Sequence, residues 1–132
     1  MTPLTPLARE LLAGPNFAVA ATINSDGSPQ QSAVWVRERD GEVIFSTVEG
    51  RAKPRNLLRQ PTISVLVIDD ENGYRTNTIH GRARFESDNA DELIDELSHR
   101  YTGQPWVETQ TQPRVTVVVT PTRVTMVNDP RR

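Results

Sequence analysis

Two Asp-Gly steps, Asp26-Gly27 and Asp40-Gly41, punctuate the first fifty residues, each between two short runs with β-forming composition. Such a step supplies the positive-φ backbone of a tight hairpin, so the runs it joins lie side by side and antiparallel. A parallel crossover needs a dozen or more residues, and these turns have two to four, which argues against a doubly wound α/β sheet. The first hairpin is expected to pair residues 17–23 with 30–37. The second turns at Arg39-Asp40-Gly41 into an outgoing strand over 42–47, where Val43 and Phe45 alternate with more polar neighbours.

The remaining segments decorate this frame. Leu4, Leu7, Ala8, Leu11 and Leu12 recur at helical spacing until Gly14-Pro15, giving a short leading helix over 5–13. Residues 50–60 change period and carry Arg51, Lys53, Arg55 and Arg59 on a second helix; Pro54 falls in its first turn, where a missing amide costs little. A β-branched run over 62–68 reads as a central strand, followed by a long segment over 74–86 that bends or bulges at Gly81. Ser87 or Asp88 is expected to cap a third helix with Ala90, Leu93, Ile94, Leu97 and Tyr101 as its apolar stripe. A polar loop over 104–112 holds Trp106, and a closing hairpin is expected from 114–119 and 123–127 around Thr120-Pro121-Thr122. Six or seven hairpin-linked strands point to one mostly β domain over residues 1–132, an antiparallel barrel with short helices, because closure protects edges that so small a sheet would expose.

Composition excludes several chemistries. With no cysteine among 132 residues there is no disulfide, thiolate nucleophile, iron-sulfur ligation or cysteine-containing zinc site. An apolar share of 36% fills a modest core and leaves room for stabilisation by a partner subunit. The formal charge of -2 argues against broad nucleic-acid binding, and no signal-peptide pattern or long apolar run is present, so a soluble, cytoplasmic protein with no membrane partner is expected. His80 and His99 stand 19 residues apart without a carboxylate at ligand spacing, and both are read as structural, with no metal. No G-x-S-x-G is present, and Asp69-Asp70 reads as a turn.

The most informative stretch runs from Ser46 and Thr47 through Gly50 to Arg51, Lys53, Arg55 and Asn56. A strand ending in two hydroxyls feeds a helix start, so unpaired amides, helix dipole and cations can converge on one anion such as a phosphate. At an effective dielectric near 20, one charge pair at 4 Å attracts by about 4 kcal/mol before desolvation. The alternative is a solvated helix face, since spacing puts Arg51 and Arg55 on one side and Lys53, the only lysine, on another. Trp35 fits either core packing or a strand bordering a planar ligand. Trp106, a large aromatic in a polar loop, needs a partner surface from a second subunit or a cofactor ring. Tyr74 and Tyr101 are read first as packing or interface residues.

These residues also carry a family likeness. Ala20-Ala-Thr-Ile-Asn-Ser-Asp-Gly-Ser-Pro-Gln30, Val34-Trp-Val36, Val43-Ile-Phe-Ser-Thr47, Arg51-Ala-Lys-Pro-Arg-Asn-Leu57, Gly81-Arg-Ala83 and Arg100-Tyr-Thr-Gly103 together resemble the split barrels of the pyridoxamine 5'-phosphate oxidase superfamily. The resemblance is closest to its small deazaflavin-dependent members, common in actinobacteria. It implies a six-stranded antiparallel split β-barrel, Greek-key-like, that forms a homodimer with two cofactor sites in the dimer groove. Arg51, Lys53 and Arg55 would face the cofactor phosphate with Ser46, Thr47 and Asn56; Gln31, Ser32 and Val34 would lie along the ring; Trp106 would approach from the other subunit. The implied activity is hydride transfer from reduced coenzyme F420 to an electrophilic, unsaturated small-molecule acceptor, with no side chain compelled as proton donor. The alternatives are an FMN-dependent oxidoreductase, including pyridoxamine phosphate oxidation, and a carrier that binds F420 without turnover. The chain is shorter than that oxidase family usually is and is expected to lack its longer C-terminal substrate segment, which argues against pyridoxamine phosphate oxidation.

Overall fold

The computed structural model describes residues 1–128. Seven strands, β1 (Phe17–Ile23), β2 (Pro29–Val34), β3 (Val36–Arg39), β4 (Glu42–Val48), β5 (Thr62–Ile68), β6 (Arg75–Glu86) and β7 (Arg114–Asn128), alternate with helices α1 (Pro6–Ala13), α2 (Ala52–Arg59) and α3 (Ala90–Thr102). The strands form one antiparallel sheet in the order β2-β1-β5-β6-β7-β4-β3. Its two edge strands, β2 and β3, are consecutive in the chain and joined through Trp35 alone. The sheet curls until the covalent chain, not a hydrogen-bonded ladder, crosses the gap between its edges.

The architecture is mostly β, as expected, but with seven strands where the family likeness implied six. The expected strand over 30–37 divides because its pairing partner changes: Pro29 to Val34 pair with β1, whereas Val36 to Arg39 pair with β4. The closing segment departs in the other direction. It is one continuous strand, β7, and not a hairpin around Pro121, because β6 is long enough to pair with it throughout. Pro121 is accommodated at a register shift opposite Gly81, where a residue without an amide donor does least harm. A Cβ on Gly81 would stand 2.4 Å from the Thr120 carbonyl oxygen, so only glycine permits this approach. The bend expected at Gly81 is thus present.

Two apolar layers fix the sheet. Inside the curl, Leu11 and Leu12 of α1 pack with Val36, Phe45, Val65 and Ile79, and Leu57 of α2 joins them. Burying each such side chain contributes about 1.5–3 kcal/mol before entropic losses. Thr5 seats α1: its hydroxyl accepts from the Ala8 amide at 3.0 Å and donates to Asn77 Oδ1 at 3.0 Å. On the opposite face of β4 and β7, Leu93 and Leu97 of α3 cover Ile44 and Val118, with Trp35 and Tyr101 at the margin. The N-cap of α3 is Asn89, at φ 61°, and not Ser87 or Asp88; Asp91 and Glu92 in the first turn complement the dipole. Among the described residues no helix is long and apolar enough to cross a membrane.

Candidate functional site

Where β2 passes into β3, the start of α2 and the loop after α3 enclose a cavity of about 400 Å³. That volume falls within the range of small-ligand sites. Its lining divides by chemistry: Arg51 and Lys53 form a cationic part, and Trp35, Tyr101 and Trp106 an aromatic one.

The cationic part follows from a local break in the chain. Gly50, at φ 88°, turns β4 into α2, and Arg51 caps the helix with extended backbone and no side-chain cap bond. Lys53 follows in the first turn and donates from Nζ to Ser32 Oγ at 2.5 Å. Burial, helped by the neighbouring Arg51 charge, pushes the Lys53 ammonium below the ordinary lysine value. Both are signs of an under-compensated cation, and no carboxylate is among the cavity-lining side chains. Thr47, also lining the cavity and only 2% exposed, leaves its hydroxyl without a hydrogen-bond partner among the described residues. A buried hydroxyl carries a desolvation cost unless a ligand or water satisfies it. The cations and this orphaned hydroxyl together fit the anionic group of a phosphate-bearing cofactor.

The aromatic part is preorganised. Trp35 stacks on Tyr101 at 5.5 Å with planes 16° apart and meets the edge of Trp106 at 5.9 Å. The Tyr101 hydroxyl donates to the Asn16 carbonyl at 2.9 Å and accepts from the Val36 amide at 3.1 Å. Burial pushes that phenol above its ordinary value. Arg114, whose side chain is 6% exposed, lies 4.7 Å from the Trp106 ring centroid. Its Nε donates to Glu108 at 2.5 Å and its terminal nitrogen to Ser46 Oγ at 3.2 Å. The Arg114 hydrogen bond is the main reason Glu108 is pulled down to about 2, with the Gln110 amide adding to the effect.

The residues expected at the site divide accordingly. Val34, Ser46, Thr47, Arg51, Lys53 and Trp106 line the cavity. Ser32 stands behind, as the acceptor for Lys53. Gln31 does not reach it: it is exposed on β2, opposite Ala21. Asn56 is buried at 6% exposure and structural, donating to Thr22 Oγ1 and Asn24 Oδ1, both at 3.0 Å. Arg55 is exposed and lines other grooves, one of them beside Asp26 and Arg59. The expected pairing of Arg51 with Arg55 on one face is replaced by Arg51 with Lys53, because Arg51 is the cap and does not follow helical rotation. Trp106, expected from a second subunit, packs against its own chain. Sequence reasoning missed Arg114; the available signal was an arginine opening a strand eight residues after an isolated loop tryptophan. His80 and His99 lie outside the cavity, on β6 and α3.

Residues 4–128 match the model of the pyridoxamine 5'-phosphate oxidase family. Among solved structures, an F420 reductase is 30% identical, with 89% of this chain and 94% of that chain covered at a TM-score of 0.79. A conserved hypothetical protein from Mycobacterium tuberculosis is 24% identical over 95% of this chain and 85% of that one, with a TM-score of 0.73. The HupZ protein of Group A Streptococcus shares the fold at 17% identity and a TM-score of 0.71, with 93% of each chain covered. Family match and architecture agree, and the chain belongs to the pyridoxamine 5'-phosphate oxidase family of split barrels.

Proposed function

We propose that this protein is a reductase that uses reduced coenzyme F420 as its hydride source for a small electrophilic acceptor. The observation that carries the reading is the mixed lining of the cavity, which combines two unpaired cations and an orphaned hydroxyl with a cluster of aromatic rings. Support comes also from the F420 reductase that is 30% identical to this chain. Within a flavin-type oxidoreductase family, the chemistry such a cofactor supplies is hydride donation from the deazaflavin C5.

The chain's own residues bind and orient. Arg51 and Lys53 would hold the anionic group, with the Thr47 hydroxyl as a further partner. Val34 and Trp35 would border the planar system, and Trp106 excludes water from that part. Tyr101 has committed its proton to the Asn16 carbonyl, and no carboxylic acid or imidazole lines the cavity among the described residues. The proton that completes a reduction therefore comes from solvent in this account.

A homodimer belongs to the same proposal. Phe17, at 63% exposure, and Val19, Ala21 and Ile23 of β1 face away from the core, alongside Leu66 and Ile68 of β5. Helices α1 and α2 pack on the core side and α3 on β4 and β7, so this apolar strip suits a second copy. Phe17 also lines the cavity, so a second copy seated on this strip would stand at the edge of the site. The test of turnover is to mix the protein with reduced F420 and a panel of enones, quinones and nitro compounds. Oxidation by at least one acceptor supports the reductase; tight binding without oxidation by any of them supports a carrier.

A further inference from the structure

We propose that Glu108 sets the charge selectivity of the cavity's aromatic part, cancelling Arg114 so that this part accepts uncharged planar molecules and turns anions toward Arg51 and Lys53. The inference rests on reading the cavity as a ligand site but not on which cofactor occupies it.

Three cationic side chains line the cavity, and they are not equivalent. Among the described residues, Arg51 and Lys53 have no carboxylate partner. Arg114 has one, held by two of its nitrogens at 2.5 and 3.3 Å from the Glu108 carboxylate. A carboxylate-paired guanidinium offers little net charge to a ligand, whereas the same group unpaired and 94% buried would be a strong anion site. Glu108 is not itself a lining residue, so it neutralises Arg114 without presenting its own charge to the cavity. Arg114 meanwhile keeps its flat face on Trp106 and its remaining donor on Ser46. The loop is also pinned independently, by the Trp106 amide on Asp95 Oδ1 at 2.9 Å and by Ser98 Oγ on the Gln104 carbonyl at 2.8 Å. Removing the charge of Glu108 therefore need not release the loop.

The substrate class follows. With its anionic group fixed at α2, a cofactor lays its planar system along Val34 and Trp35, and a neutral, planar, unsaturated acceptor stacked on that system meets no uncompensated charge from Arg114. A carboxylated analogue gains nothing from Arg114 and loses hydration on entry.

The test compares two planar probes of one shape, 2-naphthamide and 2-naphthoate, by quenching of tryptophan fluorescence in cofactor-free protein at low ionic strength. It is run in a Lys53→Ala background so that the cationic part does not compete for the carboxylate. Glu108→Gln retains an acceptor for Arg114 while removing the charge. Relative to its parent, this variant should favour naphthoate over naphthamide by about tenfold more, the ratio that about 1.4 kcal/mol of ion pairing represents. Adding Arg114→Gln should abolish the gain. An unchanged naphthoate-to-naphthamide ratio in Glu108→Gln, or a gain that survives Arg114→Gln, would overturn the proposal. Either failure leaves the cofactor assignment standing, since that is read separately from F420 binding.

Discussion

Lys53 Nζ and Ser32 Oγ, 21 residues apart in sequence, are joined by a hydrogen bond of 2.5 Å that ties the first turn of α2 to edge strand β2. The contact aims the only lysine of the chain along the wall of the cavity and, among the described residues, leaves its charge without a counter-ion. A cation held in this way destabilises the ligand-free protein and favours an anionic ligand, and the two effects can be separated.

For stability, the sign is set by the depressed lysine value. The folded state binds this proton less tightly than the unfolded state, so the penalty is full below the folded value and is relieved as pH rises from there toward 10.5. Lys53→Met should raise the urea midpoint of ligand-free protein at pH 7, with the advantage shrinking at alkaline pH. Tyr101, pushed upward, titrates in a neighbouring range with the opposite sign, but it is common to both proteins and cancels in their difference.

Asn56 separates a structural role from the ligand role implied by the family likeness. Its amide joins α2 to Thr22 and Asn24 from a buried position. Asn56→Ala should cost about 1–3 kcal/mol of unfolding free energy, through lost bonds and an orphaned Thr22 or Asn24. Cofactor affinity measured by fluorescence at a temperature where the variant is folded should stay within about twofold.

At Gly81, any side chain meets the Thr120 backbone. Gly81→Ala should destabilise the fold by about 1–3 kcal/mol in chemical denaturation, because the bulged ladder between β6 and β7 must open to admit a methyl group. Gly27, with nothing within 4 Å of its Cβ position but φ at 87°, should lose stability for a different reason, left-handed backbone strain.

Acid should act on stability through Glu108. Its folded value of about 2 lies below the ordinary 4.5, so its stabilisation is full above 4.5 and is lost as pH falls toward 2. The urea midpoint should therefore hold above pH 4.5 and fall toward pH 2, while the loop stays seated through its Trp106 amide and Ser98 anchors. In Glu108→Gln that component of the transition should be absent, leaving only the part due to other depressed carboxylates such as Asp69 and Glu42.

Much of the frame is legible because its signals are local. Asp26-Gly27 and Asp40-Gly41 mark both early hairpins, and the β-branched run over 62–68 matches β5. Gly81 marks the bulge. The misplaced features depend on non-local pairing: the change of partner at Trp35 that divides one expected strand, and the length of β6 that carries β7 past Pro121. At the site, Arg51, Lys53 and Thr47 are legible as a strand end meeting a helix start. Asn56 and Arg55 share that motif yet point elsewhere, since rotation about the α2 axis decides which side chains reach the cavity. Arg114 carries only a faint local signal, an arginine opening a strand after the loop tryptophan; the fold brings it onto Trp106 and Ser46.

The most direct test is equilibrium titration of the purified protein with coenzyme F420 and, separately, with FMN, followed by cofactor fluorescence and repeated with Lys53→Ala. The account expects saturable F420 binding that Lys53→Ala weakens about tenfold or more, with weaker binding of FMN. Tight FMN binding without F420 binding, or F420 affinity unchanged by loss of Lys53, would contradict it.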